Sequence, residues 1–347
     1  MRYHPIRFLL LKLAAAGMML GGCATAPDPA ALAAAEERLG AQMIQPDELG
    51  RRGVGMQHGM SAQQMAELRE SRVFAGASDR QIMQTMQLMG DNYAWLVEKD
   101  SKTDKRGVLV LSHGLGRAGD QSLHDSVRDS ALESNTALAF GMSMATSMHI
   151  QAAVDELVLA GAREIVVIPM LSTYQNSLMR QWEFIFAQRD EPEYSTVPRV
   201  ETPAKIIITP PLDDHPLVGR IVADHAREVS YEPAKEEVII VGHGPVDEAD
   251  NQEQLTMMAN IAAAVQADRA YAAVHVATLQ DDAPREVRMA NFQRIRDLID
   301  SARAEGRKTI IVTNLLGSRI VQSSLRRGLS GAEYRFNLKG LLMHEDF

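Results

Sequence analysis

The chain contains 347 residues, with 36 Lys or Arg against 45 Asp or Glu, so its formal net charge at pH 7 is −9. An acidic surface repels phosphate backbones, so nucleic acid is excluded as an expected partner. The length suffices for one large α/β domain of two lobes with an extension.

The first residues have the pattern of a targeting segment. A basic start is followed by an apolar stretch at 13–20 and by small residues before Cys23, which is the single cysteine. The stretch is much shorter than the ~20 residues that a membrane-spanning helix needs. The pattern resembles the bacterial lipoprotein signal, in which the cysteine is acylated after cleavage, and an ordinary signal peptide is the alternative.

The expected processing is removal of a signal peptide at 1–22 and lipid anchoring to the membrane through Cys23. Because Ala24 is not an aspartate, the predicted location is the outer membrane of the bacterial cell envelope, facing the periplasm. Acylation leaves no free thiol, so any metal site must use His, Asp, Glu or Met.

The next segment is predicted to be a tether over 23–35 and a helical extension over 36–105. Ser61 and Ser78 can cap two helices in this extension, predicted over 62–72 and 79–97.

From residue 107 onward, apolar strands alternate with amphipathic helices, which predicts parallel sheets with right-handed crossovers. The predicted fold class is α/β, with two Rossmann-like lobes at 106–230 and 231–347 in addition to the helical extension. The predicted strands cover 107–112, 136–141, 164–169, 204–209, 237–242, 272–278 and 308–313, and the predicted helices cover 149–160, 252–267 and 286–304.

Two of these strands end in the same dipeptide. The runs 108–114 and 238–244 are continuously apolar, which is typical of strands buried on both faces, and each ends in His-Gly. Ligands of open α/β sheets bind beyond the carboxyl ends of the strands. The repetition predicts an internal duplication in which His113 and His243 open into one cleft between the lobes.

A histidine at such a position can donate one ring nitrogen to a backbone carbonyl and direct the other at a metal or a substrate proton. A purely structural role in the next loop is the alternative. Candidate partners are His275, on the second strand of the second lobe, and Asp281 and Asp282 in the loop after it. Asp before Ala-Pro is also a helix-start signal, so at least one of these carboxylates is expected to be a cap.

His215 is a further candidate metal ligand, because it follows two aspartates in a loop after a strand, although a helix-capping turn explains that loop equally well. His149 lies beside the apolar stripe of its predicted helix and is expected to be solvated. Dinucleotide and phosphate-loop fingerprints are absent. The segment 141–145 is similar to the GxSxG motif of a nucleophile elbow, but alanine replaces the final glycine. A serine hydrolase is therefore a weaker alternative.

Taken together, the two His-Gly strand ends and the segments 161–169 and 211–217 resemble the class II chelatase family, which includes sirohydrochlorin cobaltochelatases and ferrochelatases. The likeness covers about 107–347. The resemblance implies two Rossmann-like lobes that hold a tetrapyrrole between them and receive a divalent metal ion, cobalt, iron or nickel. His243 matches the metal-delivering histidine of the two-lobed members, and His113 matches that of the short members.

The short members also carry a histidine in the loop after the third strand. The corresponding segments here, 171–175 and 316–319, contain none. The second metal ligand is therefore expected among His275, Asp281, Asp282, His149 and His215. Two functions remain open: a chelatase that acts on a tetrapyrrole, and a non-catalytic metal- or tetrapyrrole-binding lipoprotein.

Overall fold

The computed structural model describes residues 28–41, 46–54, 60–88, 91–97, 105–130, 134–318 and 320–347. They form two α/β units, which confirms the predicted fold class. Unit 1 comprises the described residues up to Met170 together with Asn176–Pro211, and unit 2 comprises Leu171–Gln175 and Leu212–Phe347. The predicted signal peptide and Cys23 lie outside the described residues. No helix in the described ranges is long and apolar enough to span a membrane.

Unit 1 is built on a six-stranded sheet with the strand order β1-β2-β4-β3-β5-β6. Strands β3 to β6 pair in parallel, whereas β1–β2 and β2–β4 are antiparallel. In chain order the elements are α1 (Pro29–Ala41), β1 (Arg51–Val54), α2 (Ala62–Glu70), α3 (Asp79–Leu88), β2 (Asn92–Val97), β3 (Arg106–Ser112), α4 (Arg117–Asp129), β4 (Thr136–Phe140), α5 (Met148–Leu159), β5 (Glu164–Pro169), α6 (Ser177–Ile185) and β6 (Lys205–Ile208).

The extension predicted to be helical contributes two strands to this sheet. The Ser61 cap is confirmed as a capping box with Gln64, but the helix predicted over 79–97 ends at Leu88, and residues 92–97 form β2. The aromatic and apolar run in β2 fits a pleated, buried surface, and its backbone pairs with β4. Tertiary pairing of residues 92–97 therefore overrides the prediction that the helix continues to residue 97.

The polar side of α5 is covered by the N-terminal segments. Asp155, which is 1% exposed, accepts hydrogen bonds of 3.0 and 2.7 Å from the guanidinium group of Arg38 on α1. Glu156 accepts a 2.5 Å bond from Arg52 Nε on β1. These ion pairs allow α5 to be buried on every side within unit 1.

Unit 2 has a four-stranded parallel sheet with the order β10-β9-β7-β8. Its elements are α7 (Pro216–Glu228), a 3₁₀ turn (Pro233–Lys235), β7 (Glu236–Gly242), α8 (Glu248–Asp268), β8 (Ala273–Thr278), α9 (Arg285–Ala304), β9 (Lys308–Thr313), α10 (Ile320–Gly328), β10 (Arg335–Phe336) and a second 3₁₀ turn (Leu341–Met343). The strands and helices predicted here are confirmed to within a few residues at each end.

The predicted lobe boundary at 230/231 assigns α7 to the N-terminal lobe, whereas in the structure α7 packs in unit 2. It packs against α8 and β9. Gly219 permits the close approach to α8, because a Cβ atom at this position would lie 2.8 Å from Ala264 Cβ. A helix that directly follows a strand of unit 1 thus belongs to the next unit by its packing.

The two units repeat one topology. In unit 1 the strands run β4-β3-β5-β6 across the sheet, and in unit 2 they run β8-β7-β9-β10, which is the order 2-1-3-4 in both cases. This agreement supports the predicted internal duplication. In such a sheet the crossover direction changes between strands 1 and 3, so the crevice beyond these strands is the usual ligand position.

Candidate functional site

His243 follows β7 directly and is flanked by two glycines, at both of which a side chain would be crowded. A Cβ atom on Gly242 would lie 2.7 Å from Gln254 Nε2 and 2.8 Å from Met258 Sδ. Gly244 has a φ of +80°, and its Cβ atom would lie 2.7 Å from Thr278 Cβ. The imidazole is therefore the only side chain that this tight turn presents.

The hydrogen bonding of His243 fixes its tautomer. Nδ1 lies 3.2 Å from the carbonyl oxygen of Gly244, and because a carbonyl only accepts, Nδ1 carries the proton. Nε2 lies 3.5 Å from Asp282 Oδ2. In the neutral ring, a nitrogen lone pair thus faces a carboxylate, an arrangement that is favourable when a proton or a metal cation lies between the two.

The separation of these two atoms suits a metal ion. With metal–nitrogen and metal–oxygen bonds of about 2.1 Å, two ligands that are 3.5 Å apart subtend about 110° at the metal, near the tetrahedral angle. The side chains of His243 and Asp282 are 37% and 58% exposed, so an incoming ion can reach both.

The loop after β8 is tied to the His243 turn. Gln280 has a φ of +48°, and its backbone N–H donates to the carbonyl oxygen of His243 over 2.7 Å. Asp281 Oδ1 accepts a 3.1 Å hydrogen bond from Ser324. The expected cap is wrong for both aspartates: Pro284 occupies the N-cap position of α9 with no side-chain cap. Asp282 faces His243 instead.

Asn314 is a further residue at this edge, and sequence reasoning missed it. It is the first residue after β9, it is fully buried, and its N–H donates to the carbonyl oxygen of Val241 on β7. Among the described residues, neither atom of its side-chain amide has a hydrogen-bond partner. The sequence offers one signal for Asn314, namely its position directly after β9, the third strand of the repeat. The crossover direction of this sheet changes between β7 and β9, which is where ligands usually bind.

His113 occupies the equivalent position in unit 1. It follows β3 and is half-buried, and Gly114 after it has a φ of +88°, close to the +80° of Gly244. The shared dipeptide therefore reflects the same left-handed turn in both units. Asp120 holds this loop, because it accepts a 2.6 Å bond from Leu115 N and a 2.8 Å bond from the Tyr93 hydroxyl.

His149 is buried, and the expectation that it is solvated is wrong. Its Nε2 lies 3.2 Å from Ser143 Oγ, which also accepts a 3.2 Å bond from the Trp182 indole. Burial lowers the pKa of His149 to about 3, so the ring is neutral at physiological pH. Ser143 has a φ of +53° but is only 1% exposed, so a substrate cannot reach this serine and histidine.

Two other predicted ligands have structural partners. His275 Nε2 lies 2.9 Å from Glu237 Oε2. His275 precedes the carboxyl end of β8 by three residues, about 10 Å at the rise of a strand. His215 is the N-cap of α7, where its Nδ1 accepts a 3.2 Å bond from Leu217 N. In the described part of unit 2, the predicted site thus brings together His243 and Asp282.

Comparisons with known proteins find the fold in solved structures. No family model matches the chain, and no curated protein matches it. SirB from Bacillus subtilis, in a structure with Fe³⁺, is similar with a TM-score of 0.50 and 15% identity over 69% of this chain and 89% of that one.

A multi-domain protein of Deinococcus radiodurans, described as structurally similar to chelatases but with two additional novel domains, gives a TM-score of 0.43. Its identity is 15% over 69% of this chain and 52% of that one. The likeness to SirB establishes a chelatase-like α/β fold for this chain.

Proposed function

We propose that this protein inserts a divalent metal ion, cobalt or iron, into a tetrapyrrole, and that His243 and Asp282 deliver the metal. The observation that carries the proposal is the 3.5 Å distance between His243 Nε2, which carries no proton in the neutral ring, and Asp282 Oδ2. The chelatase-like fold supports it, and so does the Fe³⁺ in the structure of SirB.

The chemistry requires an exchange of one metal ion for two protons. Insertion of M²⁺ forms bonds to the macrocycle nitrogens and releases the protons of two pyrrole N–H groups. As the metal leaves the protein, the nitrogen of His243 and the carboxylate of Asp282 become free to accept these protons. Both side chains are solvent-accessible, so the protons can pass on to water.

The test is the rate of metal insertion measured by absorbance, with purified protein, sirohydrochlorin and Co²⁺. We expect an enzyme-dependent rate that is lost in His243→Ala and Asp282→Asn. The matched control is Glu286→Gln, which removes an exposed carboxylate from the first turn of α9. An absence of any enzyme-dependent rate would reject the chelatase proposal.

The second candidate function is binding of a metal or a tetrapyrrole without turnover. It is favoured by the loops after β5 and β9, which lack the second histidine of the short chelatases. This candidate predicts metal binding that depends on His243 without catalysis of insertion. We also propose that the chain is anchored in the cell envelope through Cys23, on the evidence of the lipoprotein-like start of the sequence.

A further inference from the structure

A second cluster of potential metal ligands lies in unit 2, on α7 and in the segment after the last 3₁₀ turn. It consists of Asp224, His344 and Asp346, which each offer one ligand atom, and these atoms all lie within 4.8 Å of one another. Backbone bonds hold the segment in place: Leu341 N donates to Leu315 O over 2.8 Å, and His344 N donates to Leu341 O over 3.1 Å.

The protonation of His344 is set by its neighbours. Its Nδ1 accepts a 3.1 Å hydrogen bond from Asp346 N and therefore carries no proton. Its Nε2 lies 3.1 Å from Asp224 Oδ2, so in the neutral ring Nε2 carries the proton and donates it to that carboxylate. A metal ion that replaces this proton would have a nitrogen and an oxygen ligand already at the separation of adjacent coordination positions.

An independent observation comes from His225, the residue after Asp224 on α7. It is completely buried, and in the described part of the chain neither of its ring nitrogens has a hydrogen-bond partner. Its ring packs against that of His344, with the centroids 5.6 Å apart and the planes at 62°. Buried polar atoms are almost always satisfied, so the two unpartnered nitrogens beside this cluster point to an ion or a water molecule that binds there.

We propose that Asp224, His344 and Asp346 bind a divalent transition-metal ion beside the buried imidazole of His225. Imidazole nitrogen with carboxylate oxygen is a donor set typical of Zn²⁺ and related ions. At the tetrahedral angle, two ligands at about 2.1 Å from one ion lie about 3.4 Å apart, so the widest separation in the cluster, up to 4.8 Å, closes with side-chain rotations that shift the ligand atoms by about 1.4 Å. Arg227, which pairs with both Asp224 and Asp268, would then keep Asp268 as its partner.

The test is equilibrium dialysis of the full chain with Zn²⁺ in a His243→Ala background, which removes the other proposed metal site. We expect one bound Zn²⁺ per chain, and we expect His344→Ala and Asp346→Asn to weaken it by about 100-fold or more, beyond the usual effect of an outer-shell change. The matched control is Glu345→Gln, which removes an exposed carboxylate between His344 and Asp346 in the chain and should leave Zn²⁺ binding unchanged.

Visible absorption of Co²⁺ bound to the same variants gives a second readout, because imidazole ligation changes its spectrum. Asp346→Asn keeps the test decisive if His344→Ala fails to fold, since Asp346 lies in the last turn of the chain. Equal Zn²⁺ affinity in the background protein and in Asp346→Asn, or an equal loss in Glu345→Gln, would overturn the proposal.

Discussion

Replacement of Gly244 by alanine tests the local structure that positions His243. With a φ of +80°, Gly244 lies in the left-handed region, where a side chain costs about 1–2 kcal/mol. The new Cβ atom would also lie 2.7 Å from Thr278 Cβ and 2.9 Å from the backbone nitrogen of Gln280. Overpacking of this kind adds about 1–3 kcal/mol, so the expected total is about 2–5 kcal/mol.

The duplicated chain supplies the control. Gly114 has a φ of +88°, but a Cβ atom there would meet nothing within 4 Å. Gly114→Ala should therefore cost only the backbone strain of about 1–2 kcal/mol. The two substitutions share one backbone conformation and differ in the steric contact.

Amide hydrogen exchange followed by mass spectrometry measures the two effects separately. A loss of 3 kcal/mol corresponds to exchange about 100-fold faster in the protected amides of β7 and β8 in Gly244→Ala. Gly114→Ala should accelerate exchange in β3 and β4 by about 30-fold at most. An effect of Gly244→Ala no larger than that of Gly114→Ala would refute the packing described around His243.

Three further predictions concern charge and location. His149 has its pKa lowered from 6.5 to about 3 by burial, so only the unfolded chain binds a proton between these values and unit 1 should lose stability as the pH falls through this window. Fluorescence of the two tryptophans, both in unit 1, should show a weaker pH dependence in His149→Asn, and an unchanged one would contradict the assignment. Burial raises the pKa of Glu236, but hydrogen bonds from Ser230 and Arg335 lower it by more, to about 2. The stabilisation from this carboxylate is therefore present above pH 4.5 and is lost as the pH falls toward 2. In Glu236→Gln, stability should depend less on pH in this acid range, as measured by amide hydrogen exchange in β7. An unaltered pH dependence would argue against this. Cys23→Ser should move the protein from the membrane fraction to the soluble fraction in a bacterial host that acylates lipoproteins, and membrane retention would reject the anchor.

Local patterns were sufficient for the strands that are buried on both faces. Continuous apolar runs predict β3 and β7, and the structure has both strands. The packing of α7 in unit 2 depends on its contacts with α8 and β9, which no local signal records.

The burial of α5 shows why His149 was misassigned. Its polar neighbours Asp155 and Glu156 are typical of a solvated helix face, but arginines more than 100 residues earlier in the chain cover them. The same reason hides the cluster of Asp224 and His344, which are 120 residues apart in sequence. Ligand sets built from distant segments have no fixed spacing from which they could be predicted.

The central claim is that His243 and Asp282 together bind the metal ion, and a Co²⁺ titration followed by visible absorption tests it most directly. The His344→Ala background removes the second proposed site. We predict that His243→Ala and Asp282→Asn each weaken Co²⁺ binding by about 10-fold or more, while Glu286→Gln binds as tightly as the background protein. Equal Co²⁺ affinity in all four proteins would contradict the account.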